Sequence, residues 1–181
     1  MAEVIATYET RVSGLWNTRH VISSAGEELG VLAIERNGKG MIVGGTYTPR
    51  KGEVLHFRRD PGLLRSQFSL WTEGREWLGS SLRWSFVRRE IAMATGNKPY
   101  RLLPLAGFRR GWSMVAPKTG EMARIAPHAF RRDSRIEIFR RMDFELVLFA
   151  YFLGSQIYAE SFWPGREVQG EQESVPTPSK A

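Results

Sequence analysis

The sequence predicts a mainly β protein, a sandwich or barrel of short strands, that ends in a single helix enclosed by the rest of the chain. Three observations carry this. About a dozen short segments have strand periodicity, separated by Gly, Pro, Asn and Asp, with turn signals about every 8–12 residues. The run over residues 143–162, DFELVLFAYFLGSQIYAESF, is apolar on every side of a helical wheel, and such a helix must be buried all round. The chain has 181 residues, 42% of them hydrophobic, which suffices for one domain with a sizeable core.

The strands follow in order. Residues 4–8 open the series. Residues 16–24 (WNTRHVISS) place His20 and Ile22 on one parity and Val21 and Ser23 on the other, and AGEE at 25–28 reads as a turn. Residues 29–35 alternate Leu29, Val31 and Ala33 against Gly30, Leu32 and Ile34, which suits a strand covered on both faces. Asn37-Gly38 is the strongest short hairpin signal, leading into residues 41–43. Strand patterns then recur at 53–59, 66–72, 76–81, 84–94, 100–105, 111–116, 121–126 and 135–139. Three segments also resemble one another: HVISSAGEELGVLAI, FSLWTEGREWLGSSL and WSMVAPKTGEMARIA each run strand, Gly-containing turn with Glu, strand.

In the closing helix Phe144, Val147, Leu148, Tyr151 and Tyr158 cover one side, and Leu146, Phe149, Ala150, Phe152, Leu153 and Ile157 the rest. A membrane span needs roughly 20 predominantly apolar residues. Glu145, Gly154, Ser155, Gln156 and Glu160 interrupt this run, so protein rather than lipid is expected around it. Pro164-Gly165 stops the helix, and the polar residues 166–181 are expected to form a disordered tail.

Composition narrows the chemistry. With no Cys, disulfides, thiolate metal sites and cysteine nucleophiles are absent. The opening MAEVIATYETRV has no basic stretch followed by an apolar one, so a cytoplasmic protein is expected. A formal net charge of +7 favours anionic partners.

The segment DSRIEIFRRMDFELVLFAYFLGSQIYAES, with its last strand, Asp143 and the Phe152-Leu153-Gly154 run, resembles the end of the LURP-one-related and phospholipid scramblase-like proteins. These belong with the tubby C-terminal domain in one β-barrel superfamily. In layout the resemblance extends over residues 8–162, and its specific part is the final third. It implies a closed antiparallel barrel of about twelve strands wound round a buried C-terminal hydrophobic helix, a domain over residues 1–165 with its central helix at 143–162. Closure removes exposed sheet edges and gives the helix a lipid-free interior.

The resemblance also implies phosphoinositide headgroups as ligands on the tubby side, and acidic phospholipid with calcium on the scramblase side. The acidic segment in question holds Asp133, Glu137, Asp143 and Glu145, interrupted by Arg131, Arg132, Arg135, Arg140 and Arg141. Calcium needs a surplus of carboxylate oxygens, so the arginines oppose a strong site and no cofactor is expected.

The arginines themselves are the main chemical feature, paired at Arg58-Arg59, Arg88-Arg89, Arg109-Arg110, Arg131-Arg132 and Arg140-Arg141. Neighbours on a strand point to opposite faces, so a pair inside a barrel wall would bury one guanidinium at a cost of several kcal/mol. The pairs are therefore expected at strand ends or in loops. Gathered at one rim, Arg58, Arg59, Arg88, Arg89, Arg109 and Arg110 would form an anionic-ligand surface, since guanidinium grips phosphate bidentately. The expected protein is a monomeric, non-catalytic binding module, peripheral at a membrane and not integral to it.

Nucleic acid is the alternative partner for the same charge, and a scaffold role for an unspecified partner is another. Trp71, Trp77, Trp84, Trp112 and Phe108 lie among the arginines and could stack bases, but their strand patterns assign them to the core. Enzymatic constellations are missing: His20, His56 and His128 have no ligand spacing, and no GxSxG elbow, Walker loop or GxGxxG is present. Asn37-Gly38-Lys39-Gly40 reads as a hairpin, without the spacing or helix of a phosphate loop.

Overall fold

The computed structural model describes residues 3–15, 18–38, 42–60, 67–82, 90–96, 98–105, 111–128 and 132–161, with Leu82 and residues 155–161 as backbone. Twelve strands form: β1 Ala6–Ser13, β2 Arg19–Ser24, β3 Glu27–Arg36, β4 Ile42–Pro49, β5 Leu55–Arg59, β6 Phe68–Thr72, β7 Trp77–Leu82, β8 Ile91–Thr95, β9 Lys98–Pro104, β10 Trp112–Ala116, β11 Gly120–Pro127 and β12 Ser134–Ile138. Each pairs antiparallel with its neighbours in the chain, and β12 closes on β1 from Ala6↔Ile138 to Thr10↔Ser134. The sheet is a closed barrel of the up-and-down kind.

This order fixes which connections share an end. The helix α1, Phe144–Ser161, starts where β12 finishes and β1 begins, here called the entry end. Connections from an even to an odd strand lie at that end. Those from an odd to an even strand leave and return at the opposite, distal end.

Local sequence accounts for most of the wall. In β3 Gly30, Leu32 and Ile34 face the interior and are buried, whereas Leu29, Val31 and Ala33 are only half-buried. The expectation of a strand covered on both faces is thus corrected: a barrel wall has a solvent side, and β3 lines it with small and aliphatic residues. The turn at 25–28 contracts to Ala25-Gly26, with φ of 50° and 82° between the paired Ser24 and Glu27. The Asn37-Gly38 hairpin forms, but Arg36 pairs with Ile42, leaving a five-residue connection. Expected at 41–43 alone, β4 runs on through Gly44-Gly45 to Pro49. Of the expected strand at 84–94, residues 91–94 fall in β8 and 83–89 lie outside the described residues, as does the tail at 166–181.

The three similar segments are the hairpins β2–β3, β6–β7 and β10–β11, each four strands from the next. All three share a register shift two residues before the first strand ends, at Ile22/Ser23, Leu70/Trp71 and Met114/Val115. Just ahead of the shift Ile22, Leu70 and Met114 are buried. Two residues earlier His20, Phe68 and Trp112 are buried too, and each meets α1, at Tyr151, Phe152 and Gly154 respectively. Equivalent positions therefore hold the helix from three directions.

The helix fills the lumen. An eight-stranded barrel is filled by its own side chains, and twelve strands leave room for a helix about 10–12 Å across. The Asp143 carbonyl accepts the first turn's bonds from the amides of Leu146 and Val147, 3.1 and 3.3 Å away, and Glu145 complements the positive N-terminal dipole. Leu146 through Leu153 are buried without a break. Phe144 packs on Tyr8 and Tyr47, with centroids 4.9 and 6.0 Å apart. Phe152 lies 4.6 Å from Phe57 and 5.5 Å from Phe68, against Gly45, where a Cβ would stand 3.0 Å from the ring. At about 2 kcal/mol for each large apolar side chain, α1 is a main part of the core.

Candidate functional site

Arg58 and Arg59 end β5 at the distal end. Arg58 takes the outward parity and is exposed, opposite Gly44 and Ser69. Arg59 takes the inward parity that follows Leu55 and Phe57, but β5 stops there. Its guanidinium lies over the Phe68 ring, 5.7 Å from the centroid, and donates to the Ile42 carbonyl at 3.2 Å. The inward charge thus caps the barrel rim without entering the core.

Other guanidiniums join this end. Arg36 continues the inward parity of Leu32 and Ile34 to the end of β3. Arg19 is exposed at the start of β2. Arg132, exposed just before β12, donates to the Gly14 carbonyl at 2.8 Å. Among the described residues no carboxylate lies within ion-pair distance of Arg19, Arg58, Arg59 or Arg132. Nearby acids have other partners: Asp60 accepts from the Ser69 hydroxyl at 2.5 Å, and Asp133 from the Val12 amide at 3.0 Å.

Arg88, Arg89, Arg109, Arg110 and Arg131 lie outside the described residues. The strand ends flanking their segments, Leu82 and Ile91, Pro104 and Trp112, Pro127 and Ser134, belong to the distal end. Arg140-Arg141, between β12 and α1, stands at the entry end. The described arginine pairs sit at a strand end or in a connection, as the burial argument requires.

Beneath the distal rim runs a buried polar chain. The Thr18 hydroxyl bonds His20 Nε2 at 3.0 Å, and His20 Nδ1 lies 2.7 Å from the Tyr151 hydroxyl. That hydroxyl donates to Thr10 Oγ1 at 3.1 Å, so Nδ1 must carry the imidazole proton. Thr10 donates to the Ser134 carbonyl and accepts from the Ser134 amide, at 3.2 and 2.9 Å. Burial, with Arg132 and Arg36 nearby, pushes the His20 pKa down to about 4. Burial likewise raises the Tyr151 phenol to about 12. Every polar atom of His20 and Tyr151 is satisfied within the chain, which makes them a clasp between α1, β1 and β2.

Among the described residues histidines and carboxylates do not converge. His56 faces outward on β5, and His128 approaches Glu9 at 3.4 Å on the surface. Asp133 is at the distal end, Glu137 pairs with Arg135 at 3.4 Å on the wall, and Asp143 and Glu145 are at the entry end. Among the described residues no group of three or more potential ligands could hold a metal ion.

Two expectations for aromatic residues separate. Trp112 is core, 4% exposed. Trp71 and Trp77 are not: they pair across β6 and β7 on the outer wall, Trp77 41% exposed, because both follow the outward parity of His56. Trp84 and Phe108 lie outside the described residues.

Sequence reasoning missed Leu15, which is 94% exposed in the β1–β2 connection at the distal end, and Val43, 37% exposed on β4. A leucine directly after Gly14 in a turn was the available signal. No described helix is long and apolar enough to cross a membrane. Comparison of the chain with protein-family models, with curated proteins and with solved structures finds no match.

Proposed function

We propose that the protein is a non-catalytic module that binds anionic phospholipid or phosphoinositide headgroups at a membrane surface, through the distal end of its barrel. The observation that carries this reading is the set of guanidiniums of Arg19, Arg58, Arg59 and Arg132, none with a carboxylate within ion-pair distance among the described residues, at the end that also receives the strand ends flanking Arg88-Arg89 and Arg109-Arg110. Guanidiniums bind phosphate oxygens through paired charge-assisted hydrogen bonds. Near an acidic membrane each basic residue contributes about 1 kcal/mol, and salt screens the attraction. The likeness to the LURP-one-related, scramblase-like and tubby barrels points to the same ligand class, and a helix sealed in the lumen fits peripheral contact.

The test is sedimentation with phosphatidylcholine vesicles with and without phosphatidylserine. Arg19→Glu with Arg58→Glu is compared with Arg140→Glu plus Arg141→Glu, which changes the net charge equally at the entry end. Anion-dependent pelleting should fall by tenfold or more for the first pair and stay near that of the unaltered chain for the second. Equal loss in both, or no salt-sensitive pelleting at all, removes the proposal. A salt-sensitive shift with duplex DNA in the absence of vesicle binding would assign the charge to nucleic acid.

A further inference from the structure

We infer that the distal end docks on the anionic bilayer with the Leu15 turn inserted at the headgroup–acyl boundary, an orientation that rests on the headgroup reading above and adds an apolar contact to it. Leu15 is 94% exposed, far more than any other large apolar residue described. An exposed leucine alone needs no explanation. This one follows a pinned stretch: Gly14 has φ 84°, its carbonyl is held by Arg132 at 2.8 Å, and the Ser13 hydroxyl donates to the Arg19 carbonyl at 3.4 Å.

Positive charge flanks Leu15, with Arg132 against Gly14 and Arg19 at the start of the returning strand. The charges of Arg132 and Arg36 both lower the pKa of His20, next to Arg19 on β2. Farther along the rim come Val43, 37% exposed, and then Arg58. An apolar residue flanked by cations is the arrangement that settles into an anionic interface: the apolar side chain leaves water while long basic side chains keep their charge at headgroup level.

The other strongly exposed apolar residues have a carboxylate as a near neighbour in the chain. Val4 and Ile5 follow Glu3, and Trp77 follows Glu76.

The chain has no Cys, so Leu15→Cys accepts a single environment-sensitive fluorophore, and Lys118→Cys in the β10–β11 turn serves as the entry-end control. With phosphatidylserine-containing vesicles the label at 15 should shift to the blue and be quenched by brominated acyl chains, while the label at 118 should not change. Leu15→Ser should weaken vesicle binding about tenfold and leave its salt dependence unchanged. Pelleting with no spectral change at position 15, or with equal changes at both positions, overturns the docking orientation and leaves headgroup binding intact. Absence of pelleting defeats both. A blue shift that grows with protein concentration without vesicles, or that duplex DNA reproduces, would give the turn to a second copy or to nucleic acid and likewise overturn the inference.

Discussion

His20 is neutral in the folded chain because protonating it would place a charge in the barrel interior beside Arg132 and Arg36. Its folded pKa of about 4 lies below the ordinary 6.5. Above pH 6.5 the imidazole is neutral in both states and its contribution to stability is fully present. As pH falls from there towards 4, the unfolded chain takes up a proton that the folded chain refuses, and that contribution is lost. At 1.36 kcal/mol per unit the loss is about 3 kcal/mol. Urea unfolding measured across this window should show stability declining with acid, and His20→Gln, which keeps a polar group at the site, should flatten the slope while costing stability at neutral pH. An unchanged slope in the variant would mean that surface carboxylates, not His20, set the acid response.

At the level of elements, α1 and β10 fit because Gly154 has no side chain. A Cβ there would stand 2.7 Å from Cδ1 and 3.0 Å from Nε1 of Trp112. Trp112 Nε1 is the one buried side-chain polar atom among the described residues without a hydrogen-bond partner, so shape and not hydrogen bonding holds the ring. Glycine in a helix interior costs about 1 kcal/mol relative to alanine, yet Gly154→Ala should destabilise the protein by about 1–3 kcal/mol, since the extra methyl meets a rigid buried indole. Thermal unfolding decides the sign, and a gain in stability would show that the ring can yield. The helix and most strands were legible in the sequence because one is apolar on all sides and the others alternate. The length of β4 was not: Gly44-Gly45 interrupts the apolar run, and only the pairing with β5 and the docked helix, which bring the Phe57 carbonyl and the Phe152 ring close, explain why side chains are excluded there. The outward position of Trp71 and Trp77 was hidden for a related reason, since a bulky residue next to a register shift gives no local sign of its face. The arginine pairs were legible as loop or strand-end residues, but which end each occupies follows only from strand order.

For the whole molecule, closure makes barrel and helix one folding unit. The wall has no free edge, and its interior residues, Ile22, Leu32, Phe57, Leu70 and Ile136 among them, are buried against a helix that is itself buried from Leu146 to Leu153. Neither part can dry its apolar surface without the other, so no state with a formed barrel and an undocked helix should be populated. Far-UV circular dichroism, which reports sheet and helix, and tryptophan fluorescence, which includes Trp112 against Gly154, should therefore trace a single coincident denaturant transition. Phe152→Ala, which empties the space bounded by Gly45, Phe57 and Phe68, should lower the midpoint of both curves together by about 3–5 kcal/mol of stability. Two separated transitions, with fluorescence changing before the sheet signal, would show instead that the helix docks into a barrel already able to stand alone. The distal rim would then be an end that opens rather than a fixed platform for its arginines.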